Sequence, residues 1–202
     1  MAAHYPIAIL TERLKLRPFR EDDWEAVHEY ATDPEISKFQ EWGPNSVKDT
    51  KLFVRRCMES TNDPMKDIYF FSIVLLGADL HIGGCVLSVK PEGSGDAIIG
   101  YTIGRRHWDR GFATEAACAL LTFAFGDLAL RRVFAYCDKS NTASWRVMEK
   151  VGMRRVFTDQ NARYFKGQWR DSLEYAITDS EWRQYVGVQH FVSNLNNFGD
   201  NT

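Results

Sequence analysis

Residues Ile99 to Ala117 read IGYTIGRRHWDRGFATEAA. A β-like run, Ala97–Ile103, passes directly into a loop carrying Arg105, Arg106 and Arg110 and then Gly111 and the small Ala113 and Thr114. An apolar helical stripe follows at once, through Ala113, Ala117, Leu120, Ala124 and Leu128. Strand, glycine-bearing basic turn and helix in immediate succession put the partnerless N–H groups of a helix start beside the glycine, where the macrodipole favours negative charge. The passage is an anion cradle or, read without a ligand, a tight turn with solvated arginines. Gly111 has no second glycine or lysine at the spacing of a Walker A loop or of G-x-G-x-x-G.

Outward from this passage, Val133–Cys137 is a short buried strand, so the helix is a crossover between two strands. Asn141 or Thr142 opens another helix that runs through Lys150 and stops at Gly152, a residue suited to a left-handed C-terminal cap. Val156–Tyr164 and Gln168–Thr178 form a closing hairpin around Lys166-Gly167, and a short helix starts at Ser180. On the amino-terminal side, Tyr69–Leu76, His81–Val89 and Ala97–Ile103 read as an antiparallel meander punctuated by Gly77-Ala78-Asp79 and Pro91–Gly95. Ahead of it stand a half-buried strand within Thr11–Phe19, a helix from Asp22-Asp23 to Pro34, and a helix over about Ser46–Ser60. In the first of these, Leu14 and Leu16 face one way and Arg13, Lys15 and Arg17 the other. The elements predict a mixed α/β (α+β) layer fold, with a mostly antiparallel sheet of about seven strands, one crossover, and flanking helices. Residues 1–186 are expected to form one domain and the asparagine-rich stretch 187–202 a polar tail.

The chain has 202 residues, 45% of them hydrophobic and 26% charged, a composition that builds a packed core and rules out a disordered chain. A net charge of −2 argues against a nucleic-acid partner, which needs a basic excess. Apolar stretches such as Phe70–Leu76 and Ala116–Leu121 are far shorter than the roughly 20 residues that cross a bilayer, so no membrane partner is expected. Cys57, Cys85, Cys118 and Cys137 are widely spaced with no C-x-x-C, which is the usage of a reducing, cytoplasmic compartment. His81 and His107 have no partner at metal-ligand spacing, so no metal is expected. Cys137 lacks a histidine in local reach and reads as a small buried hydrophobe, not a nucleophile.

The second informative segment is Asn141–Met153, NTASWRVMEKVGM. Taken in order, the strand, the R-G-x-A-T-E-A helix, the next strand and N-x-x-S-x-x-V-M-E-K-x-G-M resemble the acetyl-CoA core of the GNAT superfamily of N-acetyltransferases. TERLKLRPF at the start, IGY before the loop, Trp108, ATEA after Gly111, and Ser144 after Asn141 are similar to its ribosomal-protein-alanine acetyltransferase (RimJ/RimL-like) branch. The resemblance runs from about residue 10 to 178. It implies a strongly twisted sheet splayed between strands four and five, and acetyl-CoA as cosubstrate. It also implies direct attack, in a ternary complex, by a primary amine: a protein N-terminus, a polyamine or another small amine. The protein would act as a monomer or homodimer.

Residue by residue, the resemblance implies that Tyr101, Thr102 and Ile103 lend backbone groups to the pantetheine arm. Arg106, Arg110, Gly111, Phe112, Ala113 and Thr114 would hold the pyrophosphate. Asn141 would hydrogen-bond the pantetheine and Ser144 would sit near the thioester sulfur, which makes these two the catalytic candidates. Two positions depart from the family pattern. A tyrosine that protonates the departing thiolate in many members is replaced by Met148, which leaves Ser144 or a water, and a glutamate frequent in this branch is replaced by Ile98.

Charge is unevenly placed: Glu21 to Gly43 holds eight acids against Lys38 alone, and Arg105–Arg155 holds ten Lys/Arg against five acids. A basic half suits phosphates and an acidic half would attract a cationic acceptor. Glu41, beside Trp42 in the loop Gln40–Asn45, is the candidate amine clamp, with Trp42 as its aromatic neighbour. The sequence therefore supports an acetyl-CoA-dependent N-acetyltransferase, with a non-catalytic acyl-CoA-binding or interaction module on the same fold as the alternative. A phosphate-ligand domain unrelated to CoA is a third reading.

Overall fold

Leu14 and Leu16 are both 0% exposed, as the alternation around them requires, and they anchor the strand β2 (Leu14–Arg17) in an eight-stranded sheet. The structure is a computed structural model and describes residues 8–63, 67–91 and 93–187. The other strands are β1 (Ile9–Leu10), β3 (Ile68–Leu75), β4 (Leu80–Val89), β5 (Asp96–Ile103), β6 (Arg132–Asp138), β7 (Arg154–Phe165) and β8 (Gln168–Thr178). Their spatial order is β1-β2-β3-β4-β5-β6-β8-β7. Among the described strands only β5 and β6 pair in parallel. The strand beyond the expected seven is β1, whose two residues pair with Leu16 and Lys15 and are too few for alternation to reveal.

Helices α1 (Trp24–Ala31), α2 (Pro34–Ser37) and α3 (Val47–Asn62) cover one face of the sheet around Phe19, Val27, Tyr30, Ile36, Val54 and Cys57. Helices α4 (Phe112–Thr122) and α5 (Thr142–Lys150), with α6 over 179–187, cover the other around Phe71, Leu87, Leu120, Val133 and Ile177. Register sets the division. Phe70 pairs with Val86 and Val86 with Gly100, Ser72 with Gly84 and Gly84 with Thr102, so these six residues form two adjacent rows on the α1–α3 face.

Four local expectations change. Asp22 and Asp23 complete a 3₁₀ turn (Glu21–Asp23), and Asp23, the N-cap residue of α1, makes no side-chain cap bond to that helix. The Asp23 carboxylate turns inward to Arg17, whose two terminal nitrogens donate to it at 2.7 and 2.8 Å. Arg17 is thus 7% exposed, although alternation assigns it to solvent, because a carboxylate is supplied on the inner side. Pro34, expected as a terminator, sits in the first turn of α2, whose preceding Asp33 accepts from the Glu35 N–H at 2.9 Å. The α4 stripe leaves α-geometry after Thr122 and finishes as a π turn, Phe123–Asp127. Of the expected tail, residue 187 ends α6 and 188–202 lie outside the described residues.

Candidate active site

The parallel register of β5 and β6 covers only Asp96↔Arg132, Ala97↔Val133 and Ile98↔Phe134. Beyond Ile98 the strands part, and the facing edges of 99–103 and 135–138 have no strand between them among the described residues. Unpaired strand edges carry N–H and C=O groups that need a partner. Both strands end at the same side of the sheet, where β5 leads into α4 and β6 into α5, so two helix N-termini stand beside the opening. A cleft of about 800 Å³ runs from it, lined by Gly100, Tyr101 and Thr102 of β5, Tyr136, Cys137 and Asp138 of β6, and Asn141, Ser144 and Met148 of α5.

At the opening, the Tyr101 hydroxyl donates to the Ser144 carbonyl at 2.9 Å and lies 3.4 Å from the Ser144 hydroxyl. Burial pushes the Tyr101 phenol up, against the opposing effect of its Ser144 bond. Burial, together with neighbouring Asp138 and despite a hydrogen bond with Ser144, pushes the Cys137 thiol up to about 11. A thiol held that high is protonated at neutral pH, so Cys137 is not a ready nucleophile. Asn141 is the N-cap of α5 and accepts from the Ser144 N–H at 3.3 Å through its side chain. Asp138, a carboxylate that motif reading passed over, ends β6 in the cleft wall. It accepts from the Ser140 N–H at 2.7 Å and faces an Arg170 nitrogen at 3.4 Å. Its sequence signal was only its place at a strand end next to Cys137.

Gly111 has φ +78 and is the N-cap of α4, a left-handed conformation that an L side chain takes only with strain. The turn is stapled from the far edge of the sheet. Glu115 accepts from the Thr11 hydroxyl at 2.6 Å, the Arg13 N–H at 2.8 Å and the Arg13 guanidinium at 2.7 Å, and Arg13 also donates to the Arg110 carbonyl at 3.0 Å. Partial burial works against ionisation of Glu115, but the bonds from Thr11 and Arg13 hold its carboxyl below the usual range. The loop arginines divide. Arg105 pairs with Asp33 at 3.3 Å and Arg106 with Glu29 at 2.5 Å, whereas Arg110 stacks 5.0 Å from the Phe112 ring and has no ion pair among the described residues.

The acidic segment is therefore not a free negative field. Asp23, Glu29, Asp33, Glu35 and Glu41 each face a cation: Arg17, Arg106, Arg105, Lys38 and Arg163 respectively. Glu41 meets Arg163 of β7 at 2.8 Å, and the Lys166 ammonium donates to the Ser37 and Trp42 carbonyls, so the β7–β8 hairpin is tied to the loop after α2.

Of the residues singled out from sequence, Tyr101, Thr102, Asn141, Ser144, Glu41 and Trp42 line the one cleft, together with Met148. Ile103 is buried at the end of β5, and Arg106, Arg110, Gly111, Phe112, Ala113 and Thr114 lie in the turn and first residues of α4, outside its lining. Ile98, at the last parallel pair, does not line it.

Residues 13–154 match the family model described as acetyltransferase (GNAT) domain. The chain belongs to the GNAT family. It is 33% identical over 174 residues to YnaD of Bacillus subtilis (strain 168), named an uncharacterized N-acetyltransferase, covering 86% of this chain and 98% of that one. A crystal structure of a GNAT-family acetyltransferase from Bacillus anthracis is 34% identical, superposes with a TM-score of 0.77, and spans 86% of this chain and 99% of its own. A spermidine N-acetyltransferase from Vibrio cholerae, solved in complex with CoA and spermine, shares the fold at 17% identity with a TM-score of 0.73, over 85% of this chain and 99% of its own. As a GNAT protein with N-acetyltransferase relatives, the chain is an acyl-transferring enzyme of a family that uses acetyl-CoA.

Proposed function

We propose that this enzyme moves the acetyl group of acetyl-CoA to a primary amine through a ternary complex, and that it stands near the ribosomal-protein-alanine (RimJ/RimL-like) branch. The observation that carries the reading is the parting of β5 and β6 after Ile98–Phe134, beside the N-termini of α4 and α5. The residues at hand fit the cosubstrate. A Cβ at Gly111 would meet the Arg13 guanidinium at 3.4 Å, in a turn whose first helical amides have no intrahelical partner. Among the described residues Arg110 is the loop cation left without a carboxylate.

Acetyl-CoA, when bound, supplies an acyl carbon activated as a thioester. Gly111, Phe112, Ala113 and Thr114 then hold the pyrophosphate with main-chain N–H groups, and Arg110 adds charge. Arg106, paired with Glu29, is placed to brace α1 and contributes less. The free edges of Tyr101, Thr102 and Ile103 pair with the pantetheine amides, and Asn141 caps α5 at the same place. Ser144, fixed through Tyr101, supplies a hydroxyl where negative charge develops on sulfur. Asp138, at the end of β6 in the cleft wall, meets the amine beside the Arg170 nitrogen it already faces at 3.4 Å. A free amine has a pKa near 8 at a peptide terminus, so it sheds its proton to water at neutral pH with modest help.

Thiol release from acetyl-CoA in the presence of a panel of primary amines tests the reading. Release that depends on both acetyl-CoA and an amine is expected. A melting temperature unmoved by millimolar acetyl-CoA overturns it, because a native-state ligand at a hundredfold excess over Kd adds about 2.7 kcal/mol.

A further inference from the structure

Helix α3 lays a single face over the cleft: Asp49, Leu52, Phe53 and Arg56 all line it, at the i, i+3, i+4, i+7 spacing of one helical stripe. Leu52 and Phe53, 45% and 37% exposed, present their apolar surface on the stripe that lines the cleft. Phe53 makes edge contacts with Phe19 and Phe70, ring centroids 5.8 and 6.2 Å apart. Phe70 is in register with Val86 and Gly100, so an apolar floor runs from the opening at β5 across two strand spacings to α3. At Gly84 a side chain would strike the Phe19 ring at 3.1 Å, so a bare backbone keeps this floor open.

The charges in the cleft are five: Glu41, Asp49, Arg56, Asp138 and Arg163. Glu41 and Arg163 neutralise each other, and Asp138 faces Arg170. Asp49 closes the capping box of α3, accepting from the Ser46 N–H at 3.1 Å and the Ser46 hydroxyl at 2.6 Å. Arg56 alone has no hydrogen bond or ion pair among the described residues. A polyamine needs several unengaged carboxylates, and this cleft offers an unengaged cation. Arg56 stands two helical turns, about 10 Å, along α3 from Asp49, with Leu52 and Phe53 between.

We infer that the acceptor is a primary amine on an aromatic or apolar body that carries one anionic group, its amine at the β5–β6 opening and its anion on Arg56. The inference rests on the acetyl-transfer reading and assigns the substrate class for the same cleft. A carboxylate on a guanidinium is a charge-assisted and geometrically selective pair, so the anion should lower KM roughly 10- to 100-fold against the same amine without it.

The test compares 4-(2-aminoethyl)benzoate, 2-phenylethylamine and spermidine in thiol release, on the wild type and Arg56→Gln. Their binding to the enzyme–CoA complex is measured in parallel by calorimetry. The wild type should prefer the benzoate over phenylethylamine at least tenfold in KM, with spermidine poorest, and Arg56→Gln should cut that preference to about twofold or less. Arg56→Lys, which keeps the charge without the planar fork, should fall between them. Preference for spermidine, or a benzoate preference that survives Arg56→Gln, overturns the inference. If no amine is turned over although acetyl-CoA raises the melting temperature, the transfer reading fails separately. Calorimetry then decides the acceptor class: benzoate binding that Arg56→Gln weakens supports it, and no binding overturns it.

Discussion

The Tyr101 hydroxyl on β5 donates to the Ser144 carbonyl in the first turn of α5 at 2.9 Å, and this bond crosses the gap where β5 and β6 separate. It ties the strand on one side of the cleft to the helix on the other. It also holds the Ser144 hydroxyl, which lies 3.4 Å from the phenol, at the opening. Because burial pushes the phenol up, Tyr101 keeps its proton through neutral pH and remains a donor.

Tyr101→Phe removes that donor and little else. Loss of one partly buried hydrogen bond should cost about 1 kcal/mol of stability, a melting shift of a few degrees at this chain length. Loosening of α5 should lower kcat/KM for acetyl-CoA roughly tenfold, since positioning is what the pair provides. Steady-state thiol release and a melting curve check both, and a variant with wild-type kinetics would show that the tie is only structural.

Ser144→Ala separates hydroxyl chemistry from packing. If the hydroxyl serves developing charge on sulfur, kcat falls by about 10²-fold or somewhat less while the acetyl-CoA melting shift stays near wild type. Cys137→Ala should keep most of the turnover, because a thiol pushed up to about 11 is not ionised at pH 7. Alkylation of the folded enzyme by iodoacetamide at pH 7 should be slow at Cys137 for the same reason.

How much of this was legible beforehand depends on whether the information is local. Alternation at Leu14 and Leu16, helical spacing in α4 and the glycine after a basic loop are local patterns, and they placed the sheet, the crossover and the turn at Gly111. The roles of charged residues are set by partners far along the chain. Glu115 is bound by Thr11 and Arg13, Glu41 by Arg163, and Arg106 by Glu29. No spacing encodes such pairs, so a run of acids from Glu21 to Gly43 looked like a cation-attracting pole until its arginines were located. Asp138 and Arg56 escaped for a related reason, since what marks them is which wall of the cleft they reach.

Stability should fall in mild acid through His81. Its ring is 5% exposed, accepts or donates at 2.7 Å with Ser72, stacks on Tyr30 with centroids 5.8 Å apart, and faces Asp23 and Arg17. Burial pulls its pKa down to about 4, more than Asp23 lifts it. The folded state thus refuses a proton that the unfolded chain accepts near pH 6.5, so stability is complete above that pH and declines as pH falls toward about 4. The loss over that window is roughly 3 kcal/mol. Asp23, held below the usual carboxylate range by Arg17 against its own burial, adds a further loss at still lower pH. Urea melts from pH 7 to 4.5 should show the decline, and His81→Gln, less stable at pH 7, should show a flatter profile. An equal slope in the variant would place the acid sensitivity elsewhere.

Gly111→Asp tests the turn before α4. The position has φ +78, so any side chain adds strain of about 1 to 2 kcal/mol, and an added Cβ would lie 3.4 Å from the Arg13 guanidinium. A carboxylate there would be drawn to Arg13 and would set a negative charge against the helix amides that face the pyrophosphate. The melting shift caused by acetyl-CoA should disappear and the KM for acetyl-CoA should rise at least 100-fold. Gly111→Ala carries the strain without the charge, so it should lower the melting temperature about as much and retain a measurable acetyl-CoA shift. Glu115→Gln releases the Arg13 guanidinium from its charged partner at 2.7 Å and should raise KM for acetyl-CoA several-fold without reaching the Gly111→Asp value. If Gly111→Asp folds and responds to acetyl-CoA as the wild type does, the phosphates lie away from the α4 N-terminus and the assignment of this turn is wrong.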